Sequence, residues 1–282
     1  MTKSRKRFTA FLPIAVLLGT VSASAQPAVI EQLGTRETKP PEGHGPTASE
    51  WSALANLPDW TGVWTPDIGD QERQENENNV PWTVEAAAKI QEQIALENAG
   101  KPHGTHNTCL PWGMPGFMML THNAIEFLFT PGRITIIGEA DGNNLRRIYT
   151  DGRPHPAAKD ADPTFHGHSI GHWEADTLVV DTDHVLPQTE IALSEGVGIP
   201  NGGGMHIVER IHKASSNILV DDMEIVAPKI LRQPYKTRRV FFRVGWGPEW
   251  DIVQGVCLEG NFVDQVDANG YAIFVPIKPD AK

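Results

Sequence analysis

The sequence predicts an all-β fold, an antiparallel lipocalin-like barrel of about eight to nine strands with one short helix. From Glu126 onward, short runs with alternating polar and apolar residues follow one another closely. Turn signals such as Pro131-Gly132 and Asn269-Gly270 separate these runs at spacings that favour hairpins. Only one segment, 83–98, has the periodicity of a helix. A two-sheet sandwich is the alternative arrangement of the same strands.

The first 25 residues have the pattern of a secretory signal peptide. Basic residues between Lys3 and Arg7 precede the apolar stretch 8–21, and Ala23-Ser24-Ala25 forms a small-residue cleavage site. We therefore expect a periplasmic or secreted protein whose mature chain begins at Gln26. No later run is long enough to predict a membrane-spanning helix.

The charge of the chain excludes some partners. The formal net charge is −11 at pH 7, and removal of the basic signal residues makes the mature chain more acidic still. Such a protein is poorly suited to nucleic acids or anionic membrane surfaces. We expect no nucleic-acid partner, and the sequence leaves the oligomeric state open.

Two cysteines, Cys109 and Cys257, are present. In an oxidising compartment an even number predicts one disulfide between them, and two buried free thiols are the alternative. On the chain-entropy account, a bridge that closes so long a loop stabilises the fold by roughly 5 kcal/mol.

The chain is predicted to hold one folded domain, residues 58–282, after a flexible lead-in at 26–57 that is rich in Pro, Gly, Thr and Glu. Trp60 and Trp64 are expected to anchor the core, and 67–79 is expected to be a polar loop. The helix 83–98 has Thr83 as its N-cap and Gly100 as its stop signal.

The segment 109–120 is predicted to be a rigid irregular loop, because it is rich in Pro, Gly and Met. Phe117 and Met118 in it would either floor an apolar pocket or fill the core. Beyond it, the predicted strands are 126–130, 133–139, 145–151, 171–182 as a hairpin, 205–213, 217–226, 236–244, 251–259 and 271–277.

A histidine-rich loop joins two of these strands. It contains His155, His166, His168 and His172, and such a loop, held at both ends by strands, is a typical place for binding or catalytic groups. His166, His168 and His172 would be the ligands if a metal were bound, but their spacing fits no established zinc motif. We therefore expect no metal and no other cofactor.

Two further segments carry polar groups suited to catalysis. Asp151 and His155 can pair so that the carboxylate orients the imidazole, while Arg153 can bind an oxyanion. In the strand 205–213, His206 and Glu209 face opposite sides. If the isoleucine side faces the barrel interior, Glu209 becomes a buried carboxylate that needs a partner such as Arg147 or Arg238.

Other chemistries are not indicated by motif. The chain has no G-x-S-x-G elbow, P-loop, G-x-G-x-x-G fingerprint or CxxC pair. Serine hydrolase, nucleotide-dependent and thiol-redox reactions are therefore disfavoured.

Several motifs together resemble those of a group of secreted bacterial β-rich proteins. They are the segments 60–64, 109–115, 147–156 (RIYTDGRPHP), 167–180 (GHSIGHWEADTLVV) and 206–210 (HIVER). The resemblance covers most of the chain after Leu57 and implies secretion and a β-rich fold, but it carries no activity. Position 172 is often Arg in this group, which favours an acid–base site with His168 and His206 over a three-histidine metal site.

We therefore expect an extracytoplasmic enzyme that uses no cofactor and acts on a small, largely apolar molecule in a barrel pocket. The reaction would be that of a lyase, isomerase or hydrolase. The expected catalytic residues are His168, His206, Asp151 and Glu209. The expected substrate-binding residues are Arg153, His155, Arg147, Tyr149, Trp173, Met118 and Phe117. A carrier of an apolar ligand and a metal-dependent hydrolase are the alternatives.

Overall fold

The structure is a computed structural model that describes residues 45–101, 109–120, 122–194, 196–245, 250–255, 265–266 and 272–273. The chain divides into two units, Met1–Gly45 and Pro46–Lys282. All elements below belong to the second unit.

Nine strands close into a barrel, which confirms the predicted fold class. They are β1 (Val63–Pro66), β2 (Ile125–Thr130), β3 (Arg133–Gly138), β4 (Leu145–Tyr149), β5 (His168–Glu174), β6 (Thr177–Asp183), β9 (His206–Ser215), β10 (Ile218–Val226) and β11 (Tyr235–Gly245). Around the barrel the order is β1-β11-β10-β9-β6-β5-β4-β3-β2, and β2 pairs with β1 to close it.

Two features depart from a simple antiparallel meander. β4 and β5 pair in parallel, so the chain crosses over between them through residues 150–167. Between β6 and β9 the chain forms a small separate sheet of β7 (Glu190–Ala192) and β8 (Gly198–Pro200). Parallel neighbours need a long connection, and this crossover carries His155 and His166.

Five α-helices are described: α1 (Ala48–Ala53), α2 (Ile68–Glu77), α3 (Val84–Asn98), α4 (Gly113–Met119) and α5 (Ala140–Asn143). A short 3-10 turn, Leu54–Asn56, follows α1. Among the described residues, no helix is long and apolar enough to cross a bilayer.

The predicted helix is confirmed, since α3 begins after Thr83, whose side chain accepts a hydrogen bond from the Ala86 amide. Three other predictions of irregular structure are wrong. Part of the lead-in forms α1, which starts in a capping box between Thr47 and Glu50. The polar segment 67–79 forms α2, which is capped by Asp67.

The third wrong prediction concerns 109–120, where α4 replaces the expected irregular loop. All seven residues of α4 are buried, and the Met114–Pro115 peptide is cis. Their burial places this segment in the core.

The core lies inside the barrel and extends to α3 and α4. Strand alternation sends Leu178 and Val180 of β6 inward, as well as Ile207 and Ile211 of β9. Trp64 is also fully buried, and its indole N–H donates to the Trp60 carbonyl oxygen at 3.0 Å. The predicted anchoring role of the tryptophans agrees with this burial.

The C-terminal strands are only partly described. Residues 251–255 are not a strand, which corrects part of the prediction for 251–259. The short strands β12 (Gln265–Val266) and β13 (Ala272–Ile273) pair with each other. Residues 256–259 and 274–277 lie outside the described residues. So does Cys257, and its bond with Cys109 therefore stays a prediction.

Candidate functional site

Three neighbouring strands place histidines and carboxylates on the outer face of the barrel. His168 of β5 lies opposite Asp183 of β6 in the antiparallel register. Asp181 shares the Asp183 face, because Thr182 between them points into the core. On β9, His206 projects to the same side as these carboxylates and reaches Asp181. The sheet register therefore assembles the cluster.

His155 joins the cluster from the crossover. It stands between Pro154 and Pro156, and a following proline restricts His155 to extended backbone conformations. His155 Nε2 lies 3.0 Å from Asp181 Oδ1, and His155 Nδ1 lies 2.9 Å from His168 Nδ1. Asp181 Oδ1 also lies 2.8 Å from His206 Nε2. His206, Asp181, His155 and His168 thus form one continuous polar chain.

A second carboxylate approaches His155 from the other side. Asp183 Oδ1 lies 2.8 Å from His155 Nδ1, and the same oxygen contacts His184 Nδ1. The His184 backbone has a φ of +53°, a left-handed conformation that costs a residue with a Cβ about 1 kcal/mol. The fold therefore holds His184 against its local backbone preference.

Gly167 allows the crossover to approach β6 this closely. Its φ is +68°, and a Cβ added there would lie 2.4 Å from the carbonyl oxygen of Asp183. Only glycine fits such a contact without movement of the backbone. The position of His168 relative to Asp183 therefore depends on this residue.

A cavity of about 380 Å³ opens beside the cluster. Its lining includes His168 and His184, together with Arg147 and Tyr149 of β4. Since Arg146 and Ile148 alternate with these β4 residues and are buried, the cavity lies on the outer side of the sheet. This cavity is therefore not the pocket expected in the barrel interior, which stays a prediction.

The ring of His168 is held in a stack. The Tyr149 ring stacks on the His168 ring, with ring centroids 5.2 Å apart and planes inclined by 26°. The Arg153 guanidinium in turn lies over the Tyr149 ring, 4.1 Å from its centroid. Burial and then the nearby His155 lower the pKa of His168 below its usual value of 6.5. His168 is therefore neutral at pH 7 and able to accept a proton.

His166 lines the deeper part of the cavity. Both its ring nitrogens are buried without a hydrogen-bond partner among the described residues, and the edge of Phe117 contacts the ring. Burial, with a smaller contribution from Arg146, lowers the pKa of His166 to about 4. The main chain before it is fixed by α4, because the Met114 amide donates to the Phe165 carbonyl oxygen at 2.9 Å.

A separate ion pair lies on the inner face of the same strands. Arg146 and Glu209 are both fully buried and form a two-point salt bridge, with Arg146 Nη1 at 2.7 Å from Glu209 Oε1. Arg146 also donates to Thr182 Oγ1 at 3.1 Å. Burial, followed by the charge of Glu209, raises the pKa of the neighbouring Asp221 well above its usual value.

These positions correct the catalytic roles predicted for two carboxylates. Glu209 is across the sheet from His206, and its partner is Arg146 rather than Arg147 or Arg238. Asp151 pairs with the neighbouring Arg153 at 2.5 Å on the surface. That hydrogen bond is the largest cause of the lowered pKa of Asp151. The carboxylate beside His155 and His206 is Asp181.

Three residues predicted to bind substrate lie elsewhere. Met118 is fully buried, and Phe117 is almost fully buried behind His166. Trp173 packs against Trp60 and Phe129, with ring centroids 5.3 and 6.0 Å apart. Arg147 and Tyr149 do line the cavity. His155 and Arg153 lie beside it.

The three histidines considered as metal ligands do not come together. His172 is exposed at the other end of β5, where it lies 3.2 Å from Glu174. Among the described residues, the group whose ligand atoms converge is His155, Asp183 and His184. The motif spacing was misleading because β5 separates His168 from His172.

Asp181, Asp183 and His184 were missed by the sequence argument. The usable signal was the end of β6, where Asp181-Thr-Asp183-His184 places two carboxylates on one face of a strand. An otherwise apolar strand that ends in this way indicates a polar site at the end of the strand.

Comparisons with known proteins add no assignment. No protein-family model matches this sequence, and no curated protein matches it significantly.

Proposed function

We propose that this protein is a periplasmic or secreted enzyme that transforms a small molecule by histidine acid–base catalysis in the outer cavity. The observation that carries the proposal is the continuous chain His206–Asp181–His155–His168, which ends at the cavity wall. Secretion rests on the signal-peptide pattern of residues 1–25.

His168 is the proposed base. Its lowered pKa keeps the imidazole neutral at pH 7, and the stack on Tyr149 fixes the ring plane. His206 does not line the cavity, so we propose that it acts through the chain: it lies 2.8 Å from Asp181, which in turn contacts His155. A histidine held by a carboxylate in this way has a defined tautomer, which proton transfer requires.

The cavity also indicates the kind of substrate. Arg147 on its wall forms no salt bridge with another described residue, so its charge is available to an anionic or enolate oxygen. Leu145 and Pro156 supply apolar wall beside it. We propose a small substrate with one carbonyl or carboxylate group on an apolar body, transformed by lyase, isomerase or hydrolase chemistry.

The test is turnover in a screen of small carbonyl compounds and esters, with circular dichroism to verify folding. His168→Ala should lower kcat/KM by about 10²- to 10⁴-fold, the usual contribution of a positioned base. His206→Ala should lower it by a smaller factor, because His206 acts through Asp181. His172→Ala is the matched control, because His172 is an exposed histidine on the same strand as His168. Full activity in both His168→Ala and His206→Ala would refute the proposal.

A second candidate function, carriage of an apolar ligand, is favoured by a different cavity. This groove of about 600 Å³ is lined by Trp51, Leu57, Trp60, Leu128 and Phe129, among others. Its size lies in the range of small-molecule sites.

Binding of a fluorescent apolar probe tests the carrier function. Leu128→Glu places a charge in the groove and should abolish binding, while Val84→Glu, at an exposed position of α3 outside the groove, should not. Equal probe binding by both variants would exclude the groove as the site of the apolar ligand.

A further inference from the structure

A neutral imidazole does not satisfy all the contacts around His155. Its Nε2 faces Asp181 at 3.0 Å, and its Nδ1 faces both Asp183 at 2.8 Å and His168 at 2.9 Å. A neutral imidazole has one N–H. If that proton is on Nε2 and bonds Asp181, a lone pair on Nδ1 points at the carboxylate of Asp183. Two such electron-rich atoms at 2.8 Å repel each other unless a cation lies between them.

The same arrangement is the usual second shell of a metal-binding histidine. A histidine that ligates through one ring nitrogen donates its other N–H to a carboxylate, which fixes the tautomer and the ring orientation. Here Asp181 is that carboxylate, and it is itself contacted by His206 at 2.8 Å. His155 Nδ1 is then the nitrogen that faces a cation.

The other two ligands are in place. One ligand atom each from His155, Asp183 and His184 lie within 4.8 Å of one another. With metal–ligand bonds of about 2.1 Å, adjacent ligands at right angles lie about 3.0 Å apart. The 2.8 Å between His155 Nδ1 and Asp183 Oδ1 is close to that spacing.

We propose that His155, Asp183 and His184 bind one divalent first-row transition-metal ion at the edge of the outer cavity. Two histidines and one carboxylate leave coordination positions open for water or substrate. The ion would act as a Lewis acid on the substrate oxygen, while His168 transfers the proton. This inference rests on the proposed function, because it concerns the same cavity.

The backbone supports a ligand role for His184. This residue has a φ of +53°, and its imidazole is mostly buried against Asp183. Strained conformations of this kind persist where the surrounding structure enforces them, often at ligand sites.

The experiment is a titration of the purified, chelator-treated protein with Zn²⁺ and, as a spectroscopic probe, Co²⁺. We expect about one ion per chain and visible Co²⁺ absorption bands that reflect nitrogen and oxygen ligands. His184→Gly should weaken binding by about 100-fold or more, since it removes a ligand, while glycine tolerates the positive φ. Asp181→Asn, in the second shell, should weaken it by about 10- to 100-fold.

His172→Ala is again the control and should bind the ion as the wild type does. Absence of saturable binding by the wild-type protein, or binding unchanged in His184→Gly, would overturn the inference. Turnover that persists in chelator-treated protein would reject the Lewis-acid role inferred for the ion and leave the acid–base proposal standing. Binding of the ion combined with full activity of both His168→Ala and His206→Ala would instead reject the proposed acid–base function.

Discussion

Replacement of His166 should remove a large part of the acid sensitivity of this fold. Its pKa falls from the usual 6.5 to about 4 because the ring is buried without a hydrogen-bond partner among the described residues. Between these pH values the unfolded chain binds a proton at this histidine and the folded chain does not. The stability contributed by neutral His166 is therefore complete above pH 6.5 and is lost as the pH falls from 6.5 through 4.

The lowered pKa sets the magnitude of this effect. A pKa that drops from 6.5 to about 4 corresponds to about 3 kcal/mol of unfolding free energy across that window. That is a large share of the 5–15 kcal/mol typical of a folded domain. The raised pKa of Asp221 acts with the opposite sign, because its folded form keeps a proton that the unfolded form loses above pH 3.8. The comparison of wild type with a His166 variant cancels that opposing contribution.

The assay is urea unfolding followed by tryptophan fluorescence at pH values from 4 to 7.5. Between pH 6.5 and 4, the free energy of unfolding of His166→Leu, a side chain of similar volume, should fall by about 3 kcal/mol less than that of wild type. At pH 7 it should be at least as stable, because it removes an unpaired N–H. His172→Leu, at an exposed position, serves as the control. If the free energy of unfolding of His166→Leu fell as much on acidification as that of wild type, His166 would not be a source of the acid sensitivity.

Three further predictions concern stability. Arg146→Met should cost about 3–5 kcal/mol in urea unfolding because it leaves Glu209 as a buried unpaired charge, and replacement of both residues by Met should recover most of that loss. Gly167→Ala should lower the thermal midpoint of unfolding more than Gly152→Ala. Both glycines have a positive φ. A Cβ at 167 would meet a backbone carbonyl oxygen at 2.4 Å, whereas a Cβ at 152 would meet no atom within 4 Å. Thiol titration of the denatured, unreduced protein should find no free thiol, and Cys257→Ser should cost roughly 5 kcal/mol; two titratable thiols would reject the disulfide.

The strands of the barrel were largely predictable because local alternation determines them. Leu145–Tyr149 and His206–Ser215 alternate between polar and apolar residues, and each has one buried face. The helix Val84–Asn98 was predictable from its cap. These signals need no knowledge of distant contacts.

Long-range contacts decided the elements that the sequence did not reveal. The helix Ile68–Glu77 has little apolar character, and it is held instead by Gln74, which donates to the Arg238 carbonyl oxygen and accepts from Thr237. The burial of Gly113–Met119 is likewise a tertiary effect. Neither is visible in local periodicity.

The candidate site was predictable in its histidines but not in the carboxylate that they contact. His155, His168 and His206 were recognised by residue type. The structure connects His155 to His206 through Asp181, and His155 contacts His168 directly. The choice of carboxylate was wrong, because strand register, rather than proximity in sequence, brings Asp181 to His206. Glu209 was misassigned since its inward direction depends on the burial of the isoleucine face of its strand.

The central claim is that His168 in the outer cavity transfers a proton to or from a small molecule. The most direct test is the pH dependence of kcat/KM, with a substrate from the screen, for wild type, His168→Ala and His172→Ala. Activity of wild type and His172→Ala should fall on acidification through a pKa below 6.5, because burial, and then the charge of nearby His155, lowers the pKa of His168. His168→Ala should retain only a residual rate without this acidic limb. The same acidic limb and rate in His168→Ala would show that His168 does not transfer the proton.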